Sequence, residues 1–434
     1  MPKGALPPGP TPDPVPEAEP GSPSEATDET SFKLRSNWVD WDRLIKGGGP
    51  KTDVGLVVPE SVGAGLSNGN PVHRILAKEL VFANSWEIRL AYEQIGIIVR
   101  QVRKRIEASP VPPTPQQQVR FVYDTIRSLS IDLRPADSIF LFEGIRDRIL
   151  DCDTSSFVVL AVGYELGWPV SLVTAPRHVF VRWGSENDPL TFNMDYGLIL
   201  TDEYYIENFS LSDQAVEGGI HLRSLDEDGF ESLLLSLRGA ARVFSGDYSG
   251  ARLDLDKALQ LDRRNLLGVY SQAAFRIVKG NHLSSIHWLS RVLEMEPNSP
   301  EVLFQRGSLW LEMNNPEKAY DDFLQMTELF SRFQGHFPIE TKRIRWLLQE
   351  ACLRMAEIDE RSSYDNALFH ADAAVLFAQD RIKAGELPPL EGEDLMRRLY
   401  ARRAQIHRKR GDIAETAADA VRSISSDLYG GLPF

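Results

Sequence analysis

Cysteine is nearly missing from this chain: Cys152 and Cys352 are the only two among 434 residues. Two thiols build neither a disulfide framework nor a four-thiolate zinc site. Long apolar runs are missing as well. The longest, Phe157 to Tyr164, has eight residues counting Gly163, far below the roughly 18 that suggest a membrane span. No basic stretch followed by an apolar one opens the chain, so no secretory signal is read. Positive charge is in deficit, with 48 Lys and Arg against 62 Asp and Glu and a net charge of −14. Such a chain repels phosphate backbones. These deficits predict a cytoplasmic protein with neither nucleic acid nor membrane as partner. No metal or cofactor is expected either. HExxH does not occur, and His282 and His287 are five apart, a poor spacing for two ligands on one helical face. The run Gly47-Gly48-Gly49-Pro50-Lys51-Thr52 lacks the glycine before lysine, and the preceding strand, that a phosphate loop needs.

What is present divides the chain. Residues 1–30 hold nine of the 27 prolines, no aromatic residue, and one Lys against six acids. Such a segment buries too little apolar surface to offset its ordering entropy, and residues 1–36 are predicted to be a disordered acidic tail. Trp38 and Trp41 are the first anchors, and residues 37–112 are predicted to form a helical segment that packs on the core. There, Ile88, Ala91, Ile95, Ile98, Val99, Val102 and Ile106 recur at helical spacing. Arg100, Arg103, Lys104 and Arg105 near the end of that helix read as a solvated face that suits the dipole. Thr114 before Pro115 reads as an N-cap, opening a helix that buries Val119, Val122, Tyr123 and Ile126. A buried helix over Asp153–Leu166 ends at Gly167. Three strands come next: Pro169–Thr174, His178–Trp183 and Leu190–Asp195. One helix with neighbouring strands after it predicts an α+β core over 113–228.

Beyond Phe230 the chain reads as helical and repeats itself. Gly246, Gly280 and Asn314 stand 34 residues apart and frame the units Ser232–Asn265, Leu266–Ser299 and Pro300–Phe333. Equivalent positions carry Gly239, Ala273 and Gly307 on the first helix, and Ala251, Ser285 and Ala319 on the second. Leu255, Leu289 and Phe323 stand one turn later. Small residues let paired helices approach, so Ala251 and Ala319 are expected to be buried with Gly239 and Gly307 facing them. This period resembles the tetratricopeptide repeat, placing three repeats over 229–333. Ile344–Glu357 with Tyr364–Phe377, then Arg397–Ser426 around Ala404, Gly411 and Ile413, are read as degenerate units over 334–434.

Chemistry concentrates between Leu150 and Gly197. Cys152 immediately precedes the predicted buried helix, where backbone N–H groups and the dipole favour a thiolate. His178 opens a strand and could shuttle the thiol proton. Asp195, on the next strand, could hold the imidazole, and Asn193, on the same face by alternation, is the second candidate for that role. Taken singly, each has a plain structural reading: a buried small hydrophobe, a strand histidine, a turn aspartate. The order of the three is what singles them out. His221 and Cys352 fall outside this pattern and read as structural.

The segment Arg120–Arg223 resembles the transglutaminase-like superfamily of papain-type folds, and within it a bacterial branch joined to tetratricopeptide repeats. The resemblance is carried by Cys152 with its trailing serines and by Leu166-Gly167-Trp168-Pro169-Val170. Pro176-Arg177-His178-Val179-Phe180-Val181-Arg182, Asn193-Met194-Asp195-Tyr196-Gly197 and Thr201-Asp202-Glu203-Tyr204-Tyr205 complete it. It implies a Cys152–His178–Asp195 triad acting on peptide or carboxamide groups without cofactor, and a repeat surface for a protein or peptide. The other reading is an inactive interaction module on the same fold. The sequence departs from the family in one place: Leu150 stands where a glycine is usual. Asp151 and Asp153 also flank the cysteine, and two anions there would raise the thiol pKa.

Overall fold

The computed structural model describes residues 65–134, 140–176, 178–184, 190–193, 198–333 and 341–424. The acidic tail, Trp38, Trp41, the Gly47–Thr52 run and Asp195 lie outside the described residues. The described chain is mostly helical, with seventeen helices and few strands.

Three helices come first: α1 (Pro71–Glu79), α2 (Ser85–Glu107) and α3 (Pro115–Ser128). Each start is set by a cap. The Asn70 side chain accepts from Val72 N, and Asn84 forms a capping box with Glu87. Thr114 forms one with Gln117, ahead of Pro115 at the first helical position. The stripe Ile88, Ala91, Ile95, Ile98, Val99 and Val102 is buried, as its spacing predicts. A short parallel pair, β1 (Asp132–Leu133) with β2 (Ile149–Leu150), brackets α4 (Leu141–Asp147). The Glu79 carboxylate caps α4, accepting from Leu141 N at 2.8 Å and Phe142 N at 3.1 Å. Burial pushes that carboxyl up to about 8.

Next comes α5 (Cys152–Leu166), closed by Gly167 at φ 69°, a left-handed cap that favours glycine. An antiparallel sheet is next in the chain: β3 (Val170–Ala175), β4 (His178–Trp183), β5 (Leu190–Asn193) and β6 (Leu198–Ile199), paired in chain order. Its two faces carry different helices. A Cβ on Gly163 of α5 would meet the Val170 side chain at 2.3 Å, so α5 lies on the Val170 face. By alternation, Val173, Ala175 and Phe180 point the other way, where they pack on Tyr205 of α6 (Asp202–Asn208), Leu211 and Leu222. After α7 (Asp213–Glu217), the chain returns along the outer edge of β3. There Leu222 N donates to Thr174 O at 3.0 Å and Leu225 N to Leu172 O at 2.8 Å.

The remainder is five helical hairpins. They are α8 (Glu227–Ser245) with α9 (Tyr248–Leu261), α10 (Leu266–Val278) with α11 (His282–Met295), and α12 (Pro300–Glu312) with α13 (Pro316–Phe333). Then come α14 (Thr341–Asp359) with α15 (Tyr364–Lys383), and α16 (Pro389–Arg410) with α17 (Ile413–Ile424). This is a tetratricopeptide-like helical repeat. Gly246, Gly280 and Asn314 all sit just past a first helix with φ of 80°, 69° and 55°. The 34-residue marker is therefore a left-handed cap. Ala251 and Ala319 are fully buried. The nearest neighbours of Gly239 and Gly307 are larger residues: added Cβ atoms would lie 2.7 Å from Leu255 and from Phe323. The large residue one turn further along the second helix is what needs the missing side chain. The last two pairs are longer than the sequence pattern predicts, with α15 running to Lys383 and α16 starting at Pro389.

An ion pair recurs inside the hairpins. Arg238 reaches Asp254, Arg306 reaches Asp322 and Arg403 reaches Asp419, each at 2.6 Å and each across sixteen residues. The equivalent positions of the second hairpin carry Gln272 and Trp288, and there Gln272 donates to Asp256 at 2.8 Å instead.

Candidate functional site

Cys152 is the first residue of α5, and its start is set by its neighbours. Asp151 caps the helix: its carboxylate accepts from Thr154 N at 3.2 Å and Thr154 Oγ1 at 2.7 Å, while Asp151 N donates to Thr154 Oγ1 at 2.9 Å. The capping box fixes where the helix begins and so puts Cys152 in its first turn, at the positive end of the dipole. Cys152 is half-buried, whereas Cys352 is buried in α14, and burial pushes the Cys352 thiol up to about 12.

Burial and the neighbouring Asp151 carboxylate hold the Asp153 carboxyl well above its ordinary range. A carboxyl so raised ionises less readily than an ordinary aspartate, which lessens the negative charge opposing a thiolate.

His178 is the first residue of β4 and is buried, 8% exposed. Its ring lies 5.8 Å, centroid to centroid, from those of Phe180, Tyr205 and Phe209, while Phe180 stacks on Tyr205 at 4.1 Å. Burial pushes the imidazole down to about 4, so it is neutral at pH 7. Desolvation among aromatic rings disfavours the charged histidinium form.

One bond ties the two elements. Ser156, one turn beyond Cys152 and fully buried, has its Oγ 2.5 Å from Cys152 O and 3.2 Å from Val179 O. The first turn of the cysteine helix is thereby fastened to the residue next to His178. On the other face of β4, the Arg182 guanidinium donates to Leu222 O at 2.8 Å and to both Asp202 carboxylate oxygens at 2.6 and 2.8 Å. It locks β4 to α6 and to the chain returning along β3.

Asn193 closes β5. It pairs with Leu198 of β6 and stands one residue beyond Phe192, which pairs with Val181 of β4. Asp195 lies outside the described residues. Among the described residues, no three His, Cys, Asp or Glu side chains gather as a metal site, and no helix is long and apolar enough to cross a membrane.

Sequence reasoning counted Ser156 and Arg182 among the residues that carry the resemblance but gave neither a role. Ser156 had a signal, since a serine four residues after a helix-opening cysteine lies on the same helical face. Arg182 had one too, at alternate positions from His178 on one strand. The contacts that give each its role come from elsewhere in the chain.

The described structure joins these elements to the repeats through buried polar contacts. Glu296, just past α11, accepts from Ser212 N at 3.2 Å and lies 3.5 Å from His221 Nε2. Asn298 donates to Ser210 O at 3.0 Å, and Arg223 pairs with Asp262. Burial pushes His221 down to about 3 and raises Glu296.

No protein-family model matches the chain, and no curated protein matches it. Solved structures do. BtubC (BKLC) from P. vanneervenii is 15% identical with a TM-score of 0.35, over 48% of this chain and 84% of that one. Pseudomonas aeruginosa PilF is 15% identical with a TM-score of 0.29, over 48% of this chain and 96% of that one. Yeast Tom70 is 13% identical with a TM-score of 0.34, over 93% of this chain and 74% of that one. Likeness at this level speaks to neither ligand nor activity. The tetratricopeptide-like character of 227–424 rests on the hairpins, their left-handed caps and their 34-residue frame.

Proposed function

We propose that this chain is a transglutaminase-like thiol protein whose repeats bind a protein or peptide. Cys152 is the nucleophile of an acyl transfer on a peptide or carboxamide carbonyl. The sulfur bonds to the carbonyl carbon, the C–N bond breaks, and the thiol proton passes through His178 to the departing amine or ammonia. Water or a second amine then releases the acyl group from the thioester. Asp195, with Asn193 as the second candidate, orients the imidazole. The observation that carries this reading is the half-buried cysteine in the capped first turn of α5, bonded through Ser156 to the neighbour of His178. α5 and the His178 row occupy opposite faces of the sheet, so this reading requires Cys152 to approach His178 around the N-terminal end of β4. A neutral imidazole is the form that accepts a proton.

One observation favours a second reading. An imidazole held near 4 among three aromatic rings is a weak base and packs as a core residue does. In that case the repeats alone carry the function. Iodoacetamide labelling, read by mass spectrometry of the two cysteine peptides, separates the readings. The enzyme reading expects Cys152 to react much faster than Cys352, and His178→Ala to slow Cys152 about tenfold while leaving Cys352 unchanged. Equal Cys152 rates with and without His178 overturn it and leave the binding module.

A further inference from the structure

We infer that Ser156 is a positioning residue that sets the approach of Cys152 to His178, an inference that rests on the acyl-transfer reading above. A serine hydroxyl carries one proton. The Ser156 hydroxyl has two carbonyl acceptors in range, Cys152 O at 2.5 Å in its own helix and Val179 O at 3.2 Å in β4. The side chain is fully buried, so water does not compete for that proton. The first acceptor belongs to the nucleophile's own residue and the second to the residue after the histidine. A single hydroxyl thus spans the backbone of Cys152 and of Val179, the neighbour of His178, at the end of α5 that carries the nucleophile.

The neighbouring serine shows the contrast. Among the described residues, Ser155 Oγ reaches Cys152 O, at 3.3 Å, a contact that stays inside the helix. Other contacts hold α5 to the sheet further along, such as Gly163 against Val170. They keep the helix in place when Ser156 is changed. Loss of the hydroxyl therefore frees the first turn rather than the whole helix. Misplacement of reacting groups by about 1 Å can cost on the order of a hundredfold in rate.

The test compares side chains of equal shape in the full chain. Threonine at 156 keeps a hydroxyl; valine replaces it with a methyl. The rate of Cys152 alkylation by iodoacetamide is followed from pH 5 to pH 10 in wild type, S156T, S156V and H178A, with Cys352 as an internal reporter of folding. Valine is expected to slow Cys152 about tenfold at neutral pH and to give it the pH profile of H178A. Threonine should keep the wild-type profile, and Cys352 should stay protected throughout. A valine variant that reacts as wild type while H178A is slow overturns the role of Ser156 and leaves the acyl-transfer reading standing. A threonine variant as slow as valine also overturns it, because the hydroxyl is then irrelevant. If H178A itself matches wild type, the parent reading fails, and this inference with it. Should valine expose Cys352, Ser156→Ala, which adds no volume, takes its place in the same comparison.

Discussion

The sheet-bearing region and the repeats are held by contacts of opposite range. In the repeats, three of the hairpins close on themselves with one ion pair: Arg238 meets Asp254, Arg306 meets Asp322 and Arg403 meets Asp419, all sixteen residues apart. In the region that carries Cys152, the corresponding ties cross the chain. Asn70 donates to Ala161 O across 91 residues, Glu79 caps a helix 62 residues on, and Arg182 reaches Leu222 across 40. Local closure gives stability that adds unit by unit. Distant closure gives a structure in which one lost contact is felt throughout, which suits a site that must hold two side chains in register.

The strongest way to break this contrast is a core truncation in one repeat. Phe323 is fully buried and fills the space left by Gly307. Phe323→Ala should cost about 3–5 kcal/mol. Hydrogen exchange should then speed up in α12, α13 and their neighbours while α5 and β4 keep their protection. Equal loss of protection everywhere would show that the repeats and the sheet region unfold as one.

Acid should act on the sheet region. His178 and His221 are held near 4 and 3 in the folded chain, against an ordinary value near 6.5. At these two histidines the unfolded chain binds more protons than the folded one below about pH 6.5, so their contribution to stability falls as pH is lowered through that window, while Glu79, raised to about 8, contributes in the opposite sense. Between pH 6 and pH 5 the loss should approach roughly 1.4 kcal/mol for each histidine. The difference in urea midpoints between wild type and the double variant His178→Gln, His221→Gln across this range isolates the histidine contribution.

A smaller effect sharpens the packing of the repeats. A methyl on Gly307 would lie 2.7 Å from the Phe323 ring, so Gly307→Ala should lower the melting midpoint, at a cost of about 1–3 kcal/mol. Adding Phe323→Leu should recover part of that loss. If the two substitutions add independently, the glycine does not face the ring. The smallest effect is at the third left-handed cap, where Asn314 occupies φ 55°. Asn314→Gly should change stability by less than about 1 kcal/mol, against a larger loss for Gly246→Val at φ 80°.

Several features were readable from residue order alone. The 34-residue frame comes from Gly246, Gly280 and Asn314, and Thr114-Pro115 marks a helix start, because caps are local backbone requirements written in one or two residues. The stripe from Ile88 to Val102 was legible for the same reason: a helix repeats every 3.6 residues, and burial selects one face. Cys152 at a helix start and His178 at a strand start could be read in the same way.

The tertiary structure alone decided what surrounds them. Which large side chain Gly239 and Gly307 accommodate depends on the crossing of two helices, and it proved to be Leu255 and Phe323 rather than the alanines. The charge of His178 depends on Phe180, Tyr205 and Phe209 closing over it, and that of Asp153 on burial beside Asp151. The hydroxyl of Ser156 has significance only because Val179 lies across from it. Helix caps and periodicity are properties of adjacent residues, so the sequence states them outright. Desolvation, close approach and shared protons belong to groups brought together through space, and those exist only once the chain has folded.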